Sequence, residues 1–168
     1  MPIRVVLAED NYLVREGVAQ LLATQPDLDV VATCEDYDSL LAAVEAERPD
    51  VVLTDIRMPP TGSDEGIRAA EEIRRTHPGT GVVVLSQYAE PAYALGFLEQ
   101  GSERRAYLLK ERVSDLEQLH GAIVAVHEGG SVIDAKVVNA LVASRRRSTE
   151  SPVARLTPKL RAADTPAW

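Results

Sequence analysis

Five short apolar runs set the limits on what this chain can fold into. They occupy residues 3–8, 28–33, 51–54, 82–86 and 106–109, and they are built mostly from Val, Leu, Ile and Ala. They are too short for helices, and they read as nearly continuous rather than alternating. Strands of that kind belong to a parallel sheet covered on both faces. Between them lie stretches with helical spacing. Val14, Val18, Leu21 and Leu22 share one face, and Leu40, Leu41 and Val44 share another. Ile67, Ala70 and Ile73 follow, then Tyr93, Phe97 and Leu98 with Leu95 off that face, then Leu116, Leu119, Ile123 and Val126. Strict alternation of five strands and five helices, with right-handed crossovers, predicts an α/β fold. It is a doubly wound five-stranded parallel sheet in strand order 2-1-3-4-5.

Punctuation agrees with that reading. Pro91 suits the first turn of a helix, and Ser114-Asp115-Leu116-Glu117 has the form of a capping box. His77-Pro78-Gly79 and Gly129-Gly130 stop the third and fifth helices. Asp134 is placed to cap one more helix, with Val137, Val138, Leu141 and Val142 on one face. Residues 144–158, with three consecutive arginines and several Ser, Thr and Pro, read as a linker. The expected organisation is a core domain over 1–130, an extra helix over 131–144 and a tail over 145–168.

Composition narrows the function. The 168 residues are 45% hydrophobic but only 4% aromatic, so aliphatic side chains must build the core. The formal net charge is -8, which argues against a dedicated nucleic-acid or acidic-membrane binder. It is unevenly spread: residues 1–135 carry 11 basic and 24 acidic side chains, a net -13, and residues 136–168 carry 7 and 2, a net +5. The single cysteine, Cys34, allows no intrachain disulfide and no thiol metal cluster, and reads as a buried filler at a strand end. No apolar run approaches the ~20 residues of a membrane span. Residues 1–8 carry no signal-peptide pattern, so a cytoplasmic protein without membrane attachment is expected.

In a doubly wound sheet, ligands bind beyond the carboxyl ends of the strands. There the first strand ends in Glu9-Asp10, the third in Asp55, the fourth in Ser86 and the fifth in Lys110. The first and third strands are neighbours in the expected order, so three carboxylates converge. Crowded hard oxygens call for a cation, Mg²⁺ or Mn²⁺. A lysine and a hydroxyl opposite them suit a bound anion such as a phosphoryl group. His77, His120 and His127 show no ligand spacing with these acids. The apolar run ending in Asp55 is also compatible with the metal-binding strand of a P-loop NTPase, but no G-x-x-x-x-G-K-[ST] accompanies it.

Over residues 1 to about 130 the chain resembles the receiver domain of two-component response regulators, a flavodoxin-like (βα)5 fold. The residues that carry the resemblance are Glu9-Asp10, Leu53-Thr54-Asp55-Ile56-Arg57-Met58-Pro59, Ser86 and Tyr107-Leu108-Leu109-Lys110. Gly130-Ser131-Val132-Ile133 and Leu156-Thr157-Pro158 resemble the NarL/LuxR-type subfamily, whose DNA-binding domain often opens with Leu-Thr-Pro. The resemblance implies phosphorylation of Asp55 by a sensor histidine kinase. Mg²⁺ would be held by Glu9, Asp10, Asp55 and the backbone carbonyl of Arg57. Lys110 and Ser86 would bind the phosphoryl group, and Tyr107 would act as a switch, although by itself Tyr107 reads as a half-buried strand aromatic. It further implies an output and homodimer face holding Tyr93, Phe97, Arg104, Arg105 and Leu116.

Four departures stand out. Residues 60–65 lengthen the loop after Asp55. Gln87 follows Ser86, where a small residue is common, and its bulk would alter access of water to a phosphoryl group. Residues 101–106 lengthen the link into the fifth strand. Glu111 follows Lys110, so the cis Lys-Pro bond of many receivers cannot form. A helix-turn-helix output domain needs about 60 residues, and 11 follow Thr157. DNA would therefore be reached only through an output domain outside this chain. A stand-alone receiver, or an interaction module that works without phosphorylation, is the competing reading. An aspartyl-phosphate hydrolase is disfavoured, because position 57 is Arg where a second Asp is needed.

Overall fold

The computed structural model describes residues 2–99 and 101–150. Strands β1 (Ile3–Ala8), β2 (Leu28–Cys34), β3 (Val51–Asp55), β4 (Gly81–Ser86) and β5 (Arg105–Leu109) alternate with helices. The helices are α1 (Tyr12–Ala23), α2 (Tyr37–Glu47), α3 (Glu65–Thr76), α4 (Pro91–Leu98) and α5 (Leu116–His127). The sheet is parallel in the expected order, with one addition. Residues 131–133, expected to begin the extra helix, form an edge strand β6 (Ser131–Ile133) that pairs with β5. Helix α6 (Ala135–Glu150) then continues through the first residues of the stretch read as a linker. Residues 151–168, including Leu156-Thr157-Pro158, lie outside the described residues.

Near-continuous apolar strands serve two cores at once. Along β1, Val5 and Leu7 pack with Val18 and Leu22 of α1 and with Leu119, Ile123 and Val126 of α5. Val6 and Ala8 face the other way, toward Leu40 and Val44 of α2 and Ile73 of α3. Val137 of α6 joins this second core beside Phe97, so α6 closes the layer formed by α2, α3 and α4. Cys34 is buried there at the end of β2, as its sequence position suggested.

Several expectations need correction. The cap of α5 is Asp115, one residue later than expected: its side chain accepts from the Gln118 amide, and Ser114 instead donates to the Glu111 carbonyl. Leu21 is 38% exposed, off the buried face of α1. The larger differences concern the face assigned to output. Phe97 and Arg105 are buried, not displayed. Arg105 points into the second core because it sits in register with Tyr107 and Leu109. Its guanidinium lies 4.7 Å over the Phe97 ring and donates to the carbonyls of Phe97 and Ala70. Burial, and next the nearby Arg74, lower its pKa to about 10. Arg104 takes a left-handed conformation (φ 61°) and donates 2.8 Å to the His127 carbonyl, which seals the end of α5. Tyr93 and Leu116 are half-buried.

The arginine at position 105 is thus a packing residue that also satisfies carbonyls at helices α3 and α4. Arg105→Ala should lower stability by about 2–4 kcal/mol, because it removes the packed stem and leaves the Phe97 carbonyl bare. Chemical denaturation measures this, and an unchanged midpoint would contradict it.

Candidate functional site

Register brings the polar strand ends to one edge of the sheet. Ala8 lies opposite Thr54, Asp55 opposite Leu85, and Ser86 opposite Leu109. The residues that follow these pairs therefore meet in a cleft of about 390 Å³ lined by Glu9, Asp10, Asp55, Arg57, Ser86 and Lys110, with Gln87 and Glu90 at its margin. Glu9, Asp10 and Asp55 each bring a carboxylate oxygen within 4.8 Å of the others, a set that could hold a metal ion. Glu9 and Asp55 are buried, and Asp10 is exposed.

The Lys110 ammonium sits between two of them. It lies 2.7 Å from Glu9 Oε1 and 3.1 Å from Asp55 Oδ2. Burial works against its charge, but the two carboxylates outweigh burial and raise its pKa. The other Glu9 oxygen accepts from the Asn11 amide at 3.0 Å, which fixes the carboxylate at the start of α1. Asn11 also caps that helix. Burial first, then the Glu9 charge, pushes the Asp55 pKa up to about 6 despite Lys110. Asp10, though exposed, is raised as well, by the partial loss of solvent at the cleft and by its hydrogen bond to and the charge of Glu9. One lysine does not offset three crowded carboxylates.

Ser86 is buried at the cleft wall, and its hydroxyl donates to the Tyr88 carbonyl. Tyr107, expected to be half-buried, is fully buried, and its hydroxyl has no hydrogen-bond partner. Burial raises its pKa, and the Ser86 side chain, near the ring but outside hydrogen-bond geometry, works against the shift. The Arg57 side chain pairs with Glu90 at 2.8 Å along the cleft wall and lies 5.7 Å from the centre of the Tyr93 ring.

The long loop after Asp55 is ordered by a residue that sequence reasoning missed. Glu65 is completely buried. It accepts from the Thr61 amide at 2.6 Å, the Ser63 amide at 3.0 Å and the Thr61 hydroxyl, and it pairs with Arg68 at 3.2 Å. Burial opposes its charge, but these donors prevail and hold its pKa down to about 2. Gly66 follows, and a Cβ there would lie 2.0 Å from the Asp55 carbonyl oxygen, so only glycine lets α3 start this close to β3. The signal was available in the acidic residue directly before that glycine, yet nothing in its spacing announced burial.

Comparisons with known proteins agree with this geometry. The model of the response regulator receiver domain matches residues 5–123. The chain belongs to the response regulator receiver family. DegU, a transcriptional regulatory protein of Brevibacillus brevis, is 37% identical over 145 residues, covering 86% of this chain and 58% of its own. The oxygen regulatory protein NreC of Staphylococcus epidermidis is 33% identical over 139 residues, covering 83% and 61%. This receiver therefore spans about three fifths of the length of those relatives. The solved signal receiver domain of the response regulator NarL from Mycobacterium tuberculosis is 33% identical, with a TM-score of 0.62 over 73% of this chain and 97% of that one. The receiver is thus of the NarL/LuxR type, in a family whose role is phosphorylation-dependent switching. Among the described residues, no helix is long and apolar enough to cross a membrane.

The raised Asp55 pKa has a consequence for stability. Below its ordinary value of 3.8 the carboxyl is neutral in both folded and unfolded chains. As pH rises toward about 6 the unfolded chain ionises freely while the folded one resists, so stability falls. Without divalent ions, Asp55→Asn should be more stable than the parent above pH 6, by on the order of 1–3 kcal/mol, and equal to it below pH 4. Denaturation curves across that range test this, and a variant less stable at pH 7 would contradict it.

Proposed function

We propose that Asp55 accepts a phosphoryl group from the phosphohistidine of a sensor histidine kinase. The observation that carries this reading is the Lys110 ammonium held against Asp55 and Glu9 at the mouth of an acidic cleft. An Asp55 oxygen attacks phosphorus as the bond to the histidine nitrogen breaks, and that nitrogen leaves with the bonding pair. Lys110 swings from Glu9 toward a phosphoryl oxygen, which it pairs as a point charge. The donor set of Glu9, Asp10, Asp55 and the Arg57 carbonyl is all hard oxygen, which suits Mg²⁺ or Mn²⁺. Such an ion, when bound, would offset charge on the transferring group and align it.

Switching follows from the two hydroxyls. Ser86 would release the Tyr88 carbonyl to donate to a phosphoryl oxygen, which draws the loop after β4 inward. The buried, unpartnered Tyr107 hydroxyl gains from any rearrangement that gives it an acceptor. Gln87 at the cleft margin limits the approach of water, and so sets the lifetime of the acyl phosphate. The readout would pass to the surface around Tyr93 and the exposed Leu95 of α4, where a second copy docks to form a homodimer. The names of its relatives support a transcription regulator as the whole protein, with DNA contacted by an output domain and no part in the membrane. Its action would be cytoplasmic. The chain is a phosphoacceptor that at most hastens its own phosphorylation and slow dephosphorylation.

Incubation with acetyl phosphate and Mg²⁺ tests this. Intact-mass spectrometry should show one added phosphoryl group in the parent and none in Asp55→Asn, with Lys110→Ala slowed at least about tenfold. Full labelling of Asp55→Asn would refute the assignment.

A further inference from the structure

One carboxylate, Asp134, links the start of helix α6 to the chain on either side of Lys110, and it is almost completely buried between β6 and α6. One of its oxygens, Oδ2, accepts from the amide of Leu109, the residue just before Lys110, at 3.1 Å. Arg112, two residues after Lys110, grips both oxygens, Nε to Oδ2 at 2.8 Å and Nη2 to Oδ1 at 3.0 Å. The Asp134 amide donates 2.8 Å to the Tyr107 carbonyl. Three backbone and side-chain anchors thus bracket Lys110 on both sides, at 107, 109 and 112. Position 111 is Glu, so no X-Pro bond restricts the chain directly after the lysine. The same Asp134 side chain accepts from the Lys136 amide at 3.0 Å and so starts α6.

We propose that Asp134 is the positioning residue for Lys110, and that through it the lysine and helix α6 are mechanically joined. This rests on the reading of Lys110 as the phosphoryl-binding cation. The backbone of a long, flexible side chain must be fixed if its tip is to travel between two defined sites. Asp134 and Arg112 fix it with a charge-assisted, two-pronged bond whose carboxylate side is buried and whose guanidinium side is partly exposed. The Arg112 guanidinium, with the backbone amides, keeps the Asp134 carboxyl ionised down to a pKa of about 2 against burial, so the clamp holds through the physiological range. A displacement of the turn at 110–114 (a 3₁₀ helix) pulls on the first turn of α6, and any load on α6 is felt at Lys110 in return.

The test is a cycle of variants in the 168-residue chain, read as the rate of phosphorylation by acetyl phosphate with Mg²⁺. Asp134→Asn should slow the reaction about tenfold, and Arg112→Ala severalfold, in protein shown by circular dichroism to be folded. In the Lys110→Ala background, Asp134→Asn should change the rate less than about twofold, because the group it positions is gone. Arg112→Ala leaves every backbone anchor in place, and it carries the test if Asp134→Asn fails to fold. Parent-like rates in both single variants would overturn the proposal. So would equal slowing with and without Lys110, which marks a merely structural role. A parent chain that takes up no phosphoryl group would instead overturn the reading of the site, and this inference with it.

Discussion

Everything in this receiver is arranged around one unfavourable fact: three carboxylates meet where the strands end, and a single ammonium opposes them. Lys110 lies within 3.1 Å of both Glu9 and Asp55 and still leaves Asp55 with a raised pKa. A site with surplus negative charge and restricted solvent has more to gain from a cation than an exposed acidic patch has. Parallel pairing makes the convergence unavoidable, because it lays the carboxyl ends of β1, β3, β4 and β5 side by side. The two cores hold those strands from both faces, so the charges cannot relax apart.

The surroundings of the cleft are rigid in some places and free in others. Glu65 and Gly66 lock the loop after β3 against Asp55. Asp134 and Arg112 brace the turn that carries Lys110. By contrast, Ser86 spends its hydroxyl on a local carbonyl, and the Tyr107 hydroxyl has no partner. The braced groups suit a site that must meet phosphorus in one geometry, and the unsettled ones suit a surface that changes once it does.

Much of this was legible in the sequence because it depends on periodicity. Strand positions come from short apolar runs, and a polar residue directly after each run has only one end of the sheet to occupy, so Glu9, Asp10, Asp55, Ser86 and Lys110 could be placed together. What was not legible depends on partners distant in sequence. Arg105 reads as a surface charge until its register with Tyr107 turns it inward beneath Phe97. Glu65 reads as the end of a long loop and Asp134 as an ordinary helix cap until folding surrounds them with donors from Thr61, Ser63, Leu109 and Arg112. Strand β6 has only three residues, too few to show alternation, and it exists because β5 offers it an edge.

The central claim is that surplus negative charge in the cleft is offset by a bound divalent cation. Thermal unfolding at pH 7, followed while Mg²⁺ is titrated from zero to millimolar, tests it most directly. The parent chain should rise in Tm with Mg²⁺ and saturate. Asp10→Asn should lose most of that response without a loss of stability in the absence of metal. A parent chain whose Tm is indifferent to Mg²⁺ across the titration would contradict the account.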